Sequence, residues 1–530
     1  MPKVLIADKL SPAAVAIFTE RGVEVDVKTG LSKDELIKIV GQYDGIAIRS
    51  ATKLTADVIK AATNLKVIGR AGIGVDNVDI PAATGAGVIV MNTPFGNSIT
   101  TAEHAISLML ALARELPAAN ASTQAGKWEK NRFMGVEITG KVLGPIGAGN
   151  IGSIVADRAK GLKMRVIAYD PFLSQDRAND LGIEKVELND LLARADFITL
   201  HVPMTAETKN ILSADAIART KKGVRIINCA RGGLIDEHAL KAAIDNGHVA
   251  GAALDVFETE PATQNILFGN EKVVATPHLG ASTSEAQENV ALQVAEQISD
   301  YLLTGAISNA LNMPSISASE AQKVRPWITL AEKLGSFAGQ LTGDSLTGIE
   351  IVYEGSPSML NTRALTQAAI AGLLKPILSG VNMVNAPVIA KDRGIKVSET
   401  RRDAQGVYEG YIKSVVSMTD AAGVASTRRV AGTVFSDGRP RLIQIKDITL
   451  DSEFAPHMLY IVNEDKPGFI GKLGTILGDA KVNIANFTLG RSAPGQDAIA
   501  LIEVDGPVPE AVAASVAKLP QVKHAKPLVF

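Results

Sequence analysis

The sequence predicts an α/β protein with two doubly wound parallel sheets, followed by two smaller α+β domains. Over roughly the first 300 residues, short apolar runs alternate with helical segments, which is typical of parallel sheets covered by helices. A glycine-rich turn at 147–152 follows one of these runs, as it does in nucleotide-binding sheets. The chain has 530 residues, which is too long for a single hydrophobic core.

The N-terminal lobe is predicted from five apolar runs that alternate with helical segments. The predicted strands are 3–7, 24–28, 45–48, 67–70 and 88–91, and the helices are 11–21, 33–40 and 56–62. Helices at 100–115 and 118–125 lead to the next lobe, and a helix at 284–304 returns the chain to the first lobe. We therefore expect a flavodoxin-like substrate-binding lobe from residues 1–98 and 286–312, and a nucleotide-binding domain at 99–285.

The nucleotide-binding domain is predicted to be of the Rossmann type because the glycine-rich turn has the required context. Gly147 permits a tight turn, and Gly149 lets the backbone approach a pyrophosphate. Gly152 lets the following helix pack closely on the strand. The strands and helix predicted around the turn are 142–146, 154–162 and 165–169.

Asp170 ends the strand after this turn and indicates which dinucleotide is bound. Its carboxylate can accept hydrogen bonds from the ribose hydroxyls of NAD, and it repels the additional phosphate of NADP. The pyrophosphate would lie at the N-terminus of the helix, where free N–H groups and the helix dipole favour negative charge. We therefore expect NAD as the cofactor, with a glycine turn in another kind of α/β protein as the alternative.

Three side chains that follow later strands of this domain can carry acid–base chemistry. Arg231 follows the strand predicted at 225–229, and its planar guanidinium suits a carboxylate. Glu260 and His278 follow the next two strands, and parallel strands bring such residues to one sheet edge. A carboxylate raises the pKa of a neighbouring imidazole and fixes its tautomer, so these two form a candidate couple.

Each of these residues has a structural alternative. Any one of the seven histidines is more often structural than catalytic, and His201 at another strand end is interpreted as lining the cofactor at most. Arg231 could be an ion-pair partner, and Glu260 could be a helix-capping acid. Pro145 lies inside the strand before the turn and has no N–H for the sheet, so we expect it to destabilise this domain without removing the site.

The C-terminal part is predicted to form two added domains, at 315–452 and 457–530. The first contains helical segments at 326–341 and 363–378, followed by β-rich stretches. The second has strand–helix–strand–strand–helix–strand order, which is the ferredoxin-like arrangement. Its predicted strands are 458–463, 482–490, 497–504 and 522–528, and its helices are 469–480 and 509–518.

Composition narrows the class of protein further. The net charge of −2 gives no electrostatic reason to expect nucleic-acid or membrane binding, and the sequence suggests no metal site. The single cysteine, Cys229, excludes an intramolecular disulfide and fits a reducing compartment. The N-terminus runs directly into a predicted strand without a signal segment, so we expect a cytoplasmic protein.

Several segments together resemble the D-isomer-specific 2-hydroxyacid dehydrogenases, and within them the long-form D-3-phosphoglycerate dehydrogenases. The residues 355–375 resemble the intervening domain of that group, and 463–483 resemble its regulatory ACT domain. The segments that carry the resemblance in the catalytic lobes are 48–50, 69–77, 92–94, 147–152, 228–233, 255–261 and 277–281.

The resemblance implies a role for each matching residue. His278 would be the general base and acid with Glu260 as its partner, and Arg231 would bind the substrate carboxylate. The implied substrate contacts are Arg49, Arg70, Arg231 and His278, of which Arg49 and Arg70 would bind a phosphate. The implied cofactor contacts are Gly147, Gly149, Asn150, Ile151, Gly152, Asp170, Cys229, Ala230, Arg231, Asp255, His278, Gly280 and Ala281.

The resemblance also implies the substrate, an effector and an assembly. It implies NAD-dependent oxidation of 3-phosphoglycerate, inhibition by L-serine bound at Asn463, Asp465 and Asn483 across an ACT interface, and a homotetramer. Lys130 and Arg132 could reach a neighbouring subunit's site, with a solvated charge cluster as the equal alternative. A dehydrogenase for another D-2-hydroxy acid, or a non-catalytic NAD-sensing protein, remains the competing interpretation.

Overall fold

The computed structural model describes residues 1–342, 346–403, 407–419 and 423–530. Within these ranges, no helix is both long enough and apolar enough to cross a membrane. The described chain contains two parallel sheets, one mixed sheet and one antiparallel sheet, so the predicted fold class is confirmed.

The first lobe contains a five-stranded parallel sheet. Its elements are β1 (Lys3–Ile6), α1 (Pro12–Glu20), β2 (Glu24–Val27), α2 (Lys33–Ile39), β3 (Gly45–Ile48), α3 (Ala56–Ala61), β4 (Val67–Arg70), α4 (Ile80–Gly85) and β5 (Ile89–Asn92). The strand order β2-β1-β3-β4-β5 is the flavodoxin-like order. The sequence analysis missed α4, although Asp79 caps it by accepting the Ala82 amide at 3.0 Å.

The second lobe contains a seven-stranded parallel sheet, reached through α5 (Ser98–Ala113) and α6 (Leu116–Gln124). Its elements are β6 (Val142–Ile146), α7 (Asn150–Gly161), β7 (Arg165–Ala168), α8 (Gln175–Leu181), β8 (Glu184–Lys185), α9 (Leu188–Arg194), β9 (Phe197–Leu200), α10 (Ala214–Ala218), β10 (Val224–Asn228), α11 (Glu237–Asp245), β11 (Val249–Leu254) and β12 (Val273–Ala275). The order β12-β11-β10-β9-β6-β7-β8 reverses between β6 and β9, where ligands of such sheets bind. The helix α12 (Ser284–Thr304) then returns to the first lobe.

Pro145 is buried in β6, and the strand forms around it. The β6–β7 ladder stops at the pair Leu143 and Val166, and contact resumes where the Tyr169 amide donates to the Pro145 carbonyl at 3.1 Å. In the parallel hydrogen-bond pattern, an N–H at position 145 would donate to the carbonyl of Ile167. The proline therefore removes one bond of the ladder that supports the glycine-rich turn.

The intervening domain contains a six-stranded mixed sheet with helices on it. Its elements are α13 (Ala318–Thr342), β13 (Leu346–Gly355), α14 (Thr362–Leu374), α15 (Ala386–Asp392), β14 (Lys396–Arg402), β15 (Gly410–Thr419), β16 (Ala425–Val434), β17 (Pro440–Ile445) and β18 (Ile448–Glu453). The helix α13 begins before the predicted start at Pro326, because Ser317 and Glu320 cap each other's backbone amides at 3.1 and 3.3 Å.

Two asparagines attach the intervening domain to the first lobe. Asn382 donates to the Gly87 carbonyl at 2.8 Å, and Asn385 donates to the Gly85 carbonyl at 3.3 Å, at the C-terminal end of α4. Ala364 and Val384 of the intervening domain are buried in the hydrophobic core of the first lobe. Since both polar and apolar contacts cross this boundary, the two parts pack as one block.

The last domain has the predicted ferredoxin-like fold. Its elements are β19 (His457–Glu464), α16 (Phe469–Asp479), β20 (Ile484–Arg491), β21 (Asp497–Val504), α17 (Glu510–Ala517) and β22 (Val522–Val529). The sheet order is β20-β21-β19-β22, and α16 and α17 cover one face. The other face shares a core with α13, in which Tyr460 lies edge-to-face on Phe337 at 5.6 Å.

Candidate active site

The glycine-rich turn has the geometry that a bound pyrophosphate requires. Gly147 has φ +97°, and a Cβ on it would lie 2.6 Å from the carbonyl of His201. A Cβ on Gly152 would lie 2.1 Å from the carbonyl of Gly147, so helix and strand approach too closely for any side chain. A Cβ on Gly149 would meet no atom within 4 Å. Open space therefore lies in front of the middle glycine, at the start of α7.

The surroundings of the turn also fit a dinucleotide. Gly149 caps α7 without a side-chain bond, and the first turn has no acidic residue, so its amides and dipole are available to an anion. Asn150 and Ile151 begin this helix. Asp170 accepts the Ala148 amide at 2.9 Å, which holds its carboxylate beside the turn.

His201 lies next to the turn, where Nε2 is 2.9 Å from the Thr199 hydroxyl. Its Nδ1 has no hydrogen-bond partner among the residues that the structure describes. Burial lowers the pKa of this imidazole to about 4, so the ring is neutral at physiological pH. An unpaired buried nitrogen at the switch point suits a ligand that contacts the turn.

The structure brings the predicted couple of His278 and Glu260 together. Nδ1 of His278 lies 2.7 Å from Oε2 of Glu260, and Oε1 of Glu260 accepts the Phe257 amide at 3.0 Å. The bond to Glu260 raises the pKa of His278, against the lowering effect of burial. Burial would raise the pKa of Glu260, but the bonds from His278 and Phe257 hold it below its usual value. The carboxylate therefore stays ionised and leaves Nε2 of the imidazole for proton transfer.

Asp255 organises the loop that carries His278. It is fully buried, and its carboxylate accepts the Thr276 hydroxyl at 2.6 Å and the amides of Leu279 and Gly280 at 2.7 and 2.8 Å. Nε2 of His104 lies 3.2 Å from the same carboxylate. Burial alone would raise the pKa of Asp255, but these bonds lower it. The carboxylate is thus occupied by protein donors, and direct contact with NAD stays a prediction.

The backbone of His278 is itself constrained. It has φ +56°, a conformation that is uncommon for a residue with a side chain, and its amide donates to the Asp255 carbonyl at 2.9 Å. Thr101 holds the same loop by donating to the Gly280 carbonyl at 2.9 Å. The sequence analysis did not assign His104 a role, because a histidine inside an amphipathic helix has no local pattern that marks it.

Three guanidinium groups converge opposite this loop. Arg231 donates from Nε to Asp76 at 2.9 Å and from Nη1 to the Ala230 carbonyl at 2.6 Å. Burial lowers the pKa of Arg70 to about 10, with repulsion from Arg231 and Arg49 adding to the effect. Within the described residues, Nε of Arg70 is buried without a hydrogen-bond partner. The carboxylates of Asp8 and Asp76 lie close enough to offset part of this repulsion.

Two glycines of the first lobe make room for these side chains. A Cβ on Gly72 would lie 1.7 Å from Nη1 of Arg70, and a Cβ on Gly74 would lie 1.7 Å from Nη2 of Arg231. Asp76 follows in the same loop, and the sequence analysis gave it no role of its own. Because Asp76 and Arg231 belong to different lobes, their ion pair spans the cleft.

The remaining predicted residues line or support the cleft edge. Cys229 is buried, and burial raises the pKa of its thiol, so the thiol stays protonated and is a poor nucleophile. Asn228 shapes the turn before Arg231 by accepting the Ala230 amide at 3.0 Å. Ala281 follows Gly280 in the His278 loop. Elsewhere, Arg132 forms ion pairs with Glu129 and Glu271 of its own chain.

The three residues predicted to bind an effector do not converge within one chain. Asn463 is level with Arg491 at one end of the last sheet, and Asp465 accepts Nη1 of Arg491 at 3.0 Å, which lowers the pKa of Asp465. Asn483 lies at the other end, where it donates to Asp505 at 2.7 Å. The two ends are about 23 Å apart at ~3.3 Å per strand residue.

Sequence comparisons agree with this architecture. Residues 106–280 match the family described as "D-isomer specific 2-hydroxyacid dehydrogenase, NAD binding domain", and 323–446 match the "D-3-phosphoglycerate dehydrogenase intervening domain". Residues 457–521 match the ACT domain.

Relatives at full length are also found. A D-3-phosphoglycerate dehydrogenase from Synechocystis sp. is 44% identical over 527 residues, covering 99% of this chain and 94% of that protein. A Bacillus subtilis protein with the same name is 41% identical over 529 residues, covering 99% of both chains. Among solved structures, the TT0316 protein from Thermus thermophilus has a TM-score of 0.54 at 34% identity, covering 58% of this chain and 99% of that one.

Proposed function

The chain belongs to the D-3-phosphoglycerate dehydrogenase family, and we propose that it oxidises 3-phospho-D-glycerate to 3-phosphohydroxypyruvate with NAD. This reaction is the first step of the phosphorylated route to L-serine. The observation that supports this substrate is the group of three guanidiniums, Arg49, Arg70 and Arg231, that repel one another beside the His278–Glu260 couple. A substrate with a carboxylate and a phosphate supplies two further anions that would relieve this repulsion.

Each residue of the cleft has a role in the proposed reaction. Arg231, whose Nε is bound to Asp76, binds the substrate carboxylate and the C2 oxygen. Arg70 and Arg49 bind the phosphate. Nε2 of His278 accepts the C2 hydroxyl proton, and the carboxylate of Glu260 stabilises the imidazolium that forms. Bound NAD would supply the acceptor for the hydride that leaves C2.

The cofactor would be held by the second lobe. The amides at the start of α7, together with the open face of Gly149, suit its pyrophosphate, and the Asp170 carboxylate suits its adenosine ribose. In the same proposal, Cys229, Ala230, Asp255, Gly280 and Ala281 lie at the nicotinamide end.

We further propose that L-serine is the effector of the ACT domain and that the enzyme is a homotetramer. Asp465 would take the amino group of serine, and Asn463 has a buried Oδ1 that makes no hydrogen bond within the described chain. Because Asn483 lies at the opposite end of the sheet, a second copy must supply it if one site uses all three residues.

One set of assays tests these proposals. The protein is incubated with NAD and, separately, 3-phosphoglycerate, D-glycerate and D-lactate, while NADH formation is followed at 340 nm. We expect a kcat/KM for 3-phosphoglycerate at least ~100-fold above the others, because charge-assisted bonds to a phosphate contribute about 3 kcal/mol. Activity with D-lactate alone would overturn the substrate assignment, and no activity would favour an NAD-sensing protein. A velocity that does not change with L-serine would refute the effector.

A further inference from the structure

A cavity lies in the intervening domain, far along the chain from the catalytic residues. It has a volume of about 500 Å³ and is bounded by α14, α15 and β14. Six residues that define its character are Arg363, Gln367, Ile370, Lys391, Ile395 and Val397. No role in the proposed dehydrogenase reaction accounts for this cavity.

The wall of the cavity combines apolar and cationic side chains. Ile370 and Ile395 are almost completely buried and supply an apolar floor. Arg363 and Lys391 are exposed, and neither forms an ion pair in the part of the chain that the structure describes. Glu399, an acid on the adjoining strand β14, is bound by the hydroxyls of Thr362 and Thr366.

Gln367 provides the independent observation that points to a ligand. Its side chain is 8% exposed, lines the cavity and has an Oε1 without a hydrogen-bond donor in the described chain. A buried amide oxygen without a donor costs free energy, and an N–H or O–H group from a bound molecule would remove that cost. The neighbouring Thr366 cannot donate to this oxygen, because its hydroxyl already bonds to Glu399 and Tyr353 at 2.6 and 2.7 Å.

We propose that this cavity binds a small carboxylic acid that carries a hydrogen-bond donor next to an apolar body. The carboxylate pairs with Arg363 and Lys391, the donor bonds to Oε1 of Gln367, and the apolar part covers Ile370 and Ile395. Both an α-amino acid and an α-hydroxy acid with a branched apolar side chain satisfy this description. The serine site proposed for the last domain is a separate place in the molecule.

Three probes with one carbon skeleton test the assignment by calorimetry on the full-length protein. L-Leucine and 2-hydroxyisocaproate each have a donor at C2, whereas 4-methyl-2-oxopentanoate has the same carboxylate and apolar body without one. We expect at least one of the first two to bind about five- to tenfold more tightly than the oxo acid, because one hydrogen bond is at stake. Which of the two binds identifies the donor as ammonium or hydroxyl.

Substitutions distinguish this cavity from other sites. Arg363→Ala should weaken binding about tenfold or more, and Gln367→Leu should remove the preference over the oxo acid while leaving oxo-acid binding intact. Arg393→Ala removes an equal charge next to the cavity and Asp465→Ala disables the proposed serine site, so both should bind the probes normally. Failure of all three probes to bind at 10 mM, or unchanged binding in Arg363→Ala, would overturn the proposal.

Discussion

Replacing Pro145 by valine is expected to stabilise the nucleotide-binding domain. The proline lies in a fully buried strand, and the missing N–H would face the carbonyl of Ile167, as the bond from Tyr169 to Pro145 shows. Valine restores the donor and is well suited to a buried parallel strand. The substitution leaves Gly147 and the turn unchanged in sequence, so cofactor binding should be retained.

The size of the effect follows from two opposing contributions. Satisfying a buried carbonyl contributes about 1–3 kcal/mol, whereas losing the rigidity of proline in the unfolded chain costs ~0.4–1 kcal/mol. The net gain is therefore about 0–2.6 kcal/mol, and for a domain of this size the midpoint of ~1.3 kcal/mol raises the melting temperature by ~3–5 °C.

Differential scanning calorimetry of the Pro145→Val variant measures this change directly. Pro203→Val is the matched control. Pro203 is exposed, follows β9 in the same lobe and lies outside the hydrogen-bonded strands of the sheet. The control should show no increase in melting temperature. An unchanged or lower transition for Pro145→Val would show that the sheet has adapted to the proline and would refute the reasoning.

Three further predictions concern the chemistry and its control. Glu260→Gln should lower kcat about 10–100-fold and shift the acid limb of the kcat/KM pH profile to lower pH. The bond to Glu260 raises the pKa of His278 in the wild type, and activity is lost as the pH falls through that pKa. An acid limb at the wild-type pH would contradict this role. Arg70→Met should raise KM for 3-phosphoglycerate about 10–100-fold without affecting turnover of D-glycerate, and equal losses on both substrates would exclude a phosphate contact. Asp465→Ala should abolish inhibition by L-serine, while the velocity measured without serine stays the same. Retained inhibition would place the effector site elsewhere.

Much of the fold could be predicted because its strands are short apolar runs buried on both faces. Gly45–Ile48 and Asp497–Val504 have the predicted bounds for this reason. By contrast, α4 has little apolar periodicity, and its start depends on the cap at Asp79. The start of α13 depends on the pair Ser317 and Glu320, a capping pattern that lies before the apolar periodicity of the helix becomes clear at Pro326.

The site was predictable where chemistry follows a strand end, as with Arg231, Glu260 and His278. It was not predictable where the contact joins distant segments, as with the ion pair between Arg231 and Asp76 across the two lobes. The same limit applies to Asn463 and Asn483, which are close in sequence but are placed at opposite ends of the sheet by strand register.

The two bonds from Asn382 and Asn385 to the end of α4 have a mechanical consequence. They join the intervening domain to the first lobe, and the last domain shares a core with the intervening domain. These three parts therefore pack as one block. Any change in the angle between the nucleotide-binding domain and the first lobe would therefore carry the two C-terminal domains along with the first lobe.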